Sequence, residues 1–208
     1  MEKGRLEAFS DGVFAIAITL LVLDLHVPDL AADESLAHAL ADEWPSYASY
    51  LASFLVIGTV WINHHTVFRL MDRCDRALLV INVGFLACVA VLPFPTALVS
   101  RFARTDQAAT AAFVYGGAMV LLGLLFNALW HHGLRSGLVR ADADAREVSG
   151  VTRSYLIGPA LWAAATATAV WSADLALVLF AALVLSYVLS SSIWGAPSGA
   201  ARSYGKSG

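Results

Sequence analysis

The chain has 208 residues, of which 59% are hydrophobic and 14% charged, with a mean hydropathy of +0.69. Soluble domains average about 45–50% apolar and about 25% charged, so the composition excludes a soluble enzyme, a disordered chain and a disulfide scaffold. A net charge of −3 and a pI near 6.0 leave no basic footprint for nucleic acid. What remains is an integral membrane protein.

About 20 apolar residues cross the hydrocarbon core as a helix. Six stretches qualify: Phe9–Val27, Tyr47–Phe68, Ala77–Val99, Ala108–Trp130, Tyr155–Trp171 and Leu175–Trp194. Backbone polar groups in lipid must be satisfied within a segment or a closed barrel, and these runs do not alternate as barrel strands do. The expected fold is therefore all-α and polytopic, with six transmembrane helices. Residues 1–196 are expected to form a single domain, and 197–208 a flexible cytoplasmic tail.

Lys3 and Arg5 precede the first run, which is too long for a signal peptide, carries Asp11 and Asp24, and lacks a small-x-small cleavage site. Pro28 closes that run. Asp42 and Glu43 precede Pro45 where the second helix begins, and Pro93 and Pro95 are expected to kink or end the third. Only Ser172-Ala173-Asp174 separates the fifth run from the sixth, which requires a tight hairpin. Trp44, Trp130, Trp171 and Trp194 fall at segment ends, as an aromatic belt does.

Basic residues set the orientation. With the N-terminus inside, the inner side collects Lys3, Arg5, Arg69, Arg73, Arg76, Arg135, Arg140, Arg146, Arg153, Arg202 and Lys206, and the outer side only Arg101 and Arg104. This asymmetry places both termini in the cytoplasm. The first outer loop is acidic, with Asp29, Asp33, Asp42 and Glu43. Cys74 and Cys88 are expected to be unpaired and not metal ligands, and His131-His132 lacks the carboxylate spacing of a metal centre.

The first run holds most of the remaining information. Asp11 beside Ser10 is an ionisable residue inside a membrane segment, which marks a functional site, whereas Asp24 fits the interface. At 100° per residue Ile16, Leu20, Leu23 and Val27 share one face, bordered by Thr19 and roughly opposite Asp11. That spacing alone suits a lipid-facing or helix-packing face as well as a pore wall. In the second run, Trp61 and His65 share a face and His64 is adjacent, at the depth of Ser10 and Asp11. An indole N–H, an imidazole and a carboxylate there can satisfy one another.

Arg5-x-x-x-Phe9-Ser10-Asp11, with Gly12-Val13 and Thr19-Leu20-Leu21-Val22-Leu23, resembles the signature of the transmembrane protein 175 family of lysosomal and bacterial potassium channels. Trp61-x-x-His64-His65 is similar to that family's second helix. The resemblance implies a potassium channel, not an enzyme, assembled as a homotetramer in the inner (plasma) membrane among lipids, with its first helix lining the pore. It implies a constriction of Ile16, Leu20 and Leu23, and a selectivity role for Thr19. It also implies a structural network of Arg5, Phe9, Ser10, Asp11, Trp61 and a histidine, His65 in preference to His64. Monovalent cations, K+ foremost, are the expected permeant partners, and no cofactor, metal or nucleic acid is expected. No Thr-Val-Gly-Tyr-Gly carbonyl filter is present, so an aliphatic ring would act as a dewetting gate of modest selectivity. A second reading is a proton pathway through Asp11, His64 and His65. A third, a histidine-dependent membrane enzyme, lacks a recognisable nucleophile, base and orienting group.

Overall fold

The computed structural model describes residues 3–30 and 35–194. Asp33, Arg202, Lys206 and the tail 197–208 lie outside them. The described residues form eight α-helices and no strand: α1 Lys3–Leu20, α2 Leu36–Asp42, α3 Trp44–Arg69, α4 Arg76–Val91, α5 Pro93–Phe102, α6 Ala108–Arg135, α7 Ala145–Ala167 and α8 Ala173–Trp194.

Helix α6 is the central post, packing on α4, α5, α7 and α8, while α1 packs on α3 and α4 at one side. Small residues bring α6 and α7 together. A Cβ on Gly123 would stand 2.9 Å from the Pro159 ring, and one on Gly116 would overlap the Thr166 side chain. Large apolar side chains such as Val80, Leu124, Ile157 and Val178 point outward, as they do where the surrounding solvent is lipid.

Among the described residues, four helical stretches are long and apolar enough to cross a membrane: Lys3–Asp24, Trp44–Arg69, Arg76–Phe102 and Ala108–Arg135. Helix α8 offers a shorter apolar stretch, Ala173–Leu189. The first run departs from the expected single helix. Its α-helical part ends at Leu20, a 3-10 turn covers Leu21–Asp24, and Leu25 is already extended. Leu23 therefore lies in the tighter turn and Val27 beyond it, where 100° per residue no longer applies.

The third run is two helices. Pro93 and Pro95 have no N–H to continue the ladder of α4, and Leu92 turns the chain into α5. The fifth apolar run lies in α7, which starts ten residues before it, at Ala145. Asp144 caps it by accepting the Arg146 N–H at 2.8 Å, and its first turns are polar. A test for apolar runs is blind to such turns, and for the same reason to α2.

The loop after α3 is stitched to the loop after α6. Asp72 N–H donates to Leu138 O and Arg140 N–H to Leu70 O, both at 2.9 Å. Gly137, with φ +62°, makes the turn that permits this pairing. Below it, Asp75 caps α4 by accepting the Leu78 N–H at 2.7 Å, and both its oxygens meet His132 Nε2 of α6, at 2.9 and 3.0 Å. The backbone bond from Leu78 and the facing His132 hold the Asp75 carboxyl below its usual range.

Candidate functional site on the first helix

Helix α1 has two faces of different character. Leu6, Ser10, Phe14, Ala17 and, in the following turn, Leu21 are buried, at steps of four, four, three and four. Ile16, Leu20 and Leu23 point away from the rest of the chain, with 63%, 41% and 69% exposure. Only 28% of the apolar stretch of this span is buried, against 39% for α6. Among the described residues, the aliphatic stripe is the less covered face of this segment. Thr19 stands beside it, and its hydroxyl is held by its own helix, 2.9 Å from both Ala15 O and Ile16 O.

The buried face is anchored by a chain of hydrogen bonds. Asn82 of α4 donates through Nδ2 to Ser10 Oγ at 3.1 Å, and Ser10 Oγ donates to Leu6 O at 2.9 Å. His64 Nε2 lies 2.9 Å from Asn82 Oδ1. With the amide nitrogen committed to Ser10, that oxygen must accept, so the imidazole carries its proton on Nε2. Three rings cage the histidine: Phe85 stacks on it with centroids 5.5 Å apart and planes 6° apart, Phe68 lies at 4.4 Å and Phe14 meets it edge-on at 5.4 Å.

A second, more exposed pair sits on the flank. Trp61 Nε1–H donates to Asp11 Oδ1 at 2.8 Å. His65 lies against Trp61, with centroids 6.3 Å apart, and faces outward. His64 thus reaches Ser10 through Asn82, while His65 packs on Trp61 beside Asp11. Positions 61 and 65 share the face that meets Asp11, and one residue back the helix turns 100° into the bundle.

The structure does not bring Arg5 or Phe9 into either cluster. Both are exposed on the side of α1 that carries Ile16, and Phe9 is 58% exposed. Asn82 is the functional residue that sequence reasoning missed. The signal was available, since a carboxamide inside the run Ala77–Val99 needs a buried partner. Among the described residues, no group of three or more His, Cys, Asp or Glu could hold a metal ion.

The family model described as the endosomal/lysosomal potassium channel TMEM175 matches residues 5–93. That span runs from α1 into α5 and contains both clusters. A potassium channel of Streptomyces collinus is 46% identical over 190 residues, covering 89% of this chain and 91% of that protein. The chain belongs to the TMEM175 family. This is a family of ion channels, not of enzymes.

A potassium channel of Chamaesiphon minutus is 42% identical over 193 residues, covering 91% of this chain and 95% of the relative. The crystal structure of a lysosomal potassium-selective channel TMEM175 homolog from Chamaesiphon minutus superposes with a TM-score of 0.83 at 40% identity. That match covers 91% of this chain and 98% of the other. The human endosomal/lysosomal proton channel TMEM175 is 34% identical over 139 residues, which cover 62% of this chain and 28% of that protein.

Proposed function

We propose that this TMEM175-family protein is a potassium-permeable cation channel, modestly selective for K+ over Na+, whose pore is walled by α1. The carrying observation is the division of α1. One face is locked to α3 and α4 through Ser10, Asn82 and His64, while Ile16, Leu20 and Leu23 are left largely exposed by the rest of the described chain. One helix cannot enclose a pore, so several protomers must each supply a copy, and closed cyclic symmetry is the simplest way to do so.

In this reading four copies of residues 1–196 assemble in the bacterial plasma membrane. Each chain crosses six times with both termini cytoplasmic, as its basic residues favour. The aliphatic rings narrow the path and gate it by dewetting. Thr19 flanks the narrow part, and Asp24 with the acidic first loop concentrates cations at the outer mouth. The gradient drives flux, and no cofactor is used. Ser10, Asp11, Trp61 and His64 set the position of the pore helix without touching the ion.

Liposomes loaded with the purified protein test this reading. They should release K+ faster than Na+, and the particle should show cyclic symmetry with α1 around its axis. Equal or absent flux of both ions would overturn it.

A second reading has specific support. His64 is a buried imidazole beside α1, with Asp11 and His65 nearby on α1 and α3, and the vertebrate relatives are named proton channels. In that case a pH gradient across the same liposomes would collapse through the protein, and His64→Ala would stop it. Proton flux that survives both His64→Ala and His65→Ala removes this reading.

A further inference from the structure

Helices α3, α5, α6 and α8 border a half-open groove of about 270 Å³ to which α1 contributes nothing. Its walls are mainly apolar, with Trp44, Ala48 and Ala52 from α3 and Leu177, Phe180 and Val184 from α8. Ser53 and Tyr115 at its inner end are already satisfied. Ser53 Oγ lies 2.7 Å from Thr96 Oγ1 and 3.4 Å from the Tyr115 hydroxyl. An ion would find nothing there to replace its water. On α3 the groove runs from Trp44 to Ser53, about 13 Å at 1.5 Å per residue, or roughly half of the hydrocarbon core of about 30 Å. Trp44 is also where the membrane span Trp44–Arg69 begins. The groove therefore starts at headgroup level and is one leaflet deep, the dimensions of a single alkyl chain. An apolar cavity of about 150 Å³ in another protein holds benzene, so a longer body has room here.

Charge at the mouth narrows the headgroup. The exposed Arg104 follows Ala103, which lines the groove, and its guanidinium stands 5.0 Å from the Trp44 ring centroid. Its Nη1 donates to the backbone oxygen of Asp42 at 3.4 Å, and among the described residues it has no carboxylate partner. Two carboxylates on neighbouring residues are engaged elsewhere. Asp42 Oδ2 lies 3.6 Å from His38 Nε2, and Glu43 Oε2 accepts from Ser46 Oγ at 3.0 Å. The mouth thus offers one cation with room for an anion, beside negative charge that would repel a headgroup of net negative charge and attract an ammonium. We propose that the groove holds one acyl chain of a phospholipid with a zwitterionic phosphate–ammonium headgroup. The phosphate meets Arg104, and the ammonium sits on the side of Asp42 and Glu43.

Phosphatidylethanolamine and phosphatidylglycerol with identical acyl chains test this, since they share the phosphate and differ in the ammonium. The delipidated full chain in detergent is incubated with both in equal amounts, and native mass spectrometry counts the lipids each protomer retains. Phosphatidylethanolamine should be retained in preference. Arg104→Gln, a change on the exposed surface, should cut its retention roughly 3- to 10-fold, as losing one charge-assisted hydrogen bond would. Ala52→Phe, which fills the groove, should remove it. Equal retention of the two lipids, or a preference for phosphatidylglycerol, overturns the proposal. So does phosphatidylethanolamine retention that Arg104→Gln leaves unchanged. Retention of neither lipid by the wild type, with an oligomer that comes apart on Ala52→Phe, would give the groove to a neighbouring copy of the chain and likewise overturn it. The wild-type competition and Arg104→Gln decide the matter even where Ala52→Phe fails to fold.

Discussion

The two faces of α1 are almost equally apolar, yet they answer to different surroundings. The inner face buries Leu6, Phe14, Ala17 and Leu21 against α3 and α4, and its one polar residue, Ser10, is wholly enclosed and hydrogen-bonded. The outer face repeats the same chemistry in Ile16, Leu20 and Leu23 but is left largely exposed by the described residues. Side-chain hydrophobicity thus does not reveal which face is core. Packing partners and the placement of scarce polar atoms do.

If the inner face is structural and the outer functional, substitutions on the two should separate stability from flux. The largest stability loss is expected from Phe14→Ala, which opens a cavity beside His64 and should cost about 3–5 kcal/mol in a denaturation series. Next comes Asn82→Leu. It leaves the His64 N–H without an acceptor and Ser10 without a donor, for a loss of about 1–3 kcal/mol. A cost near zero would show that the cluster does not anchor the helix.

Away from α1, Asp75→Ala removes the α4 cap and should cost about 0.5–2 kcal/mol at neutral pH. Because the folded-state carboxyl titrates below its ordinary 3.8, its contribution is present above that value and lost as pH falls through the folded value. The gap between variant and wild type should hold from neutrality to about pH 4 and close in stronger acid. A gap that closed near pH 6 instead would assign the effect to another group.

The smallest stability effect is expected from Leu23→Ala, within about 0.5 kcal/mol, since the side chain is 69% exposed. Its effect on transport should be clear all the same, with the K+ to Na+ flux ratio moving toward one. If Leu23→Ala destabilised the assembled protein as much as Phe14→Ala and left the flux ratio alone, the outer face would be a packing surface and not a pore wall.

Much of this was legible early because the forces are local. Long apolar runs announce helices in lipid, prolines at 45, 93 and 95 mark starts and breaks, and Ser10 with Asp11 stands out as polarity where polarity is expensive. The polar start of α7 and the short α2 escaped notice because neither is an apolar run. The end of α1 at Leu20 was hidden because the apolar pattern continues unbroken into the 3-10 turn.

By itself, then, the sequence determined that the chain is helical and membrane-bound, which residues punctuate it, and, through Arg5-x-x-x-Phe9-Ser10-Asp11, the family it resembles. Only the tertiary structure decided that Asn82, 72 residues beyond Ser10, links that hydroxyl to His64, that His65 packs on Trp61 instead, and that Arg5 stands apart from both clusters. Periodicity fixes which residues share a face. Which face turns inward depends on how α1, α3 and α4 meet, and that is settled by the need of each buried polar atom for a partner from another helix.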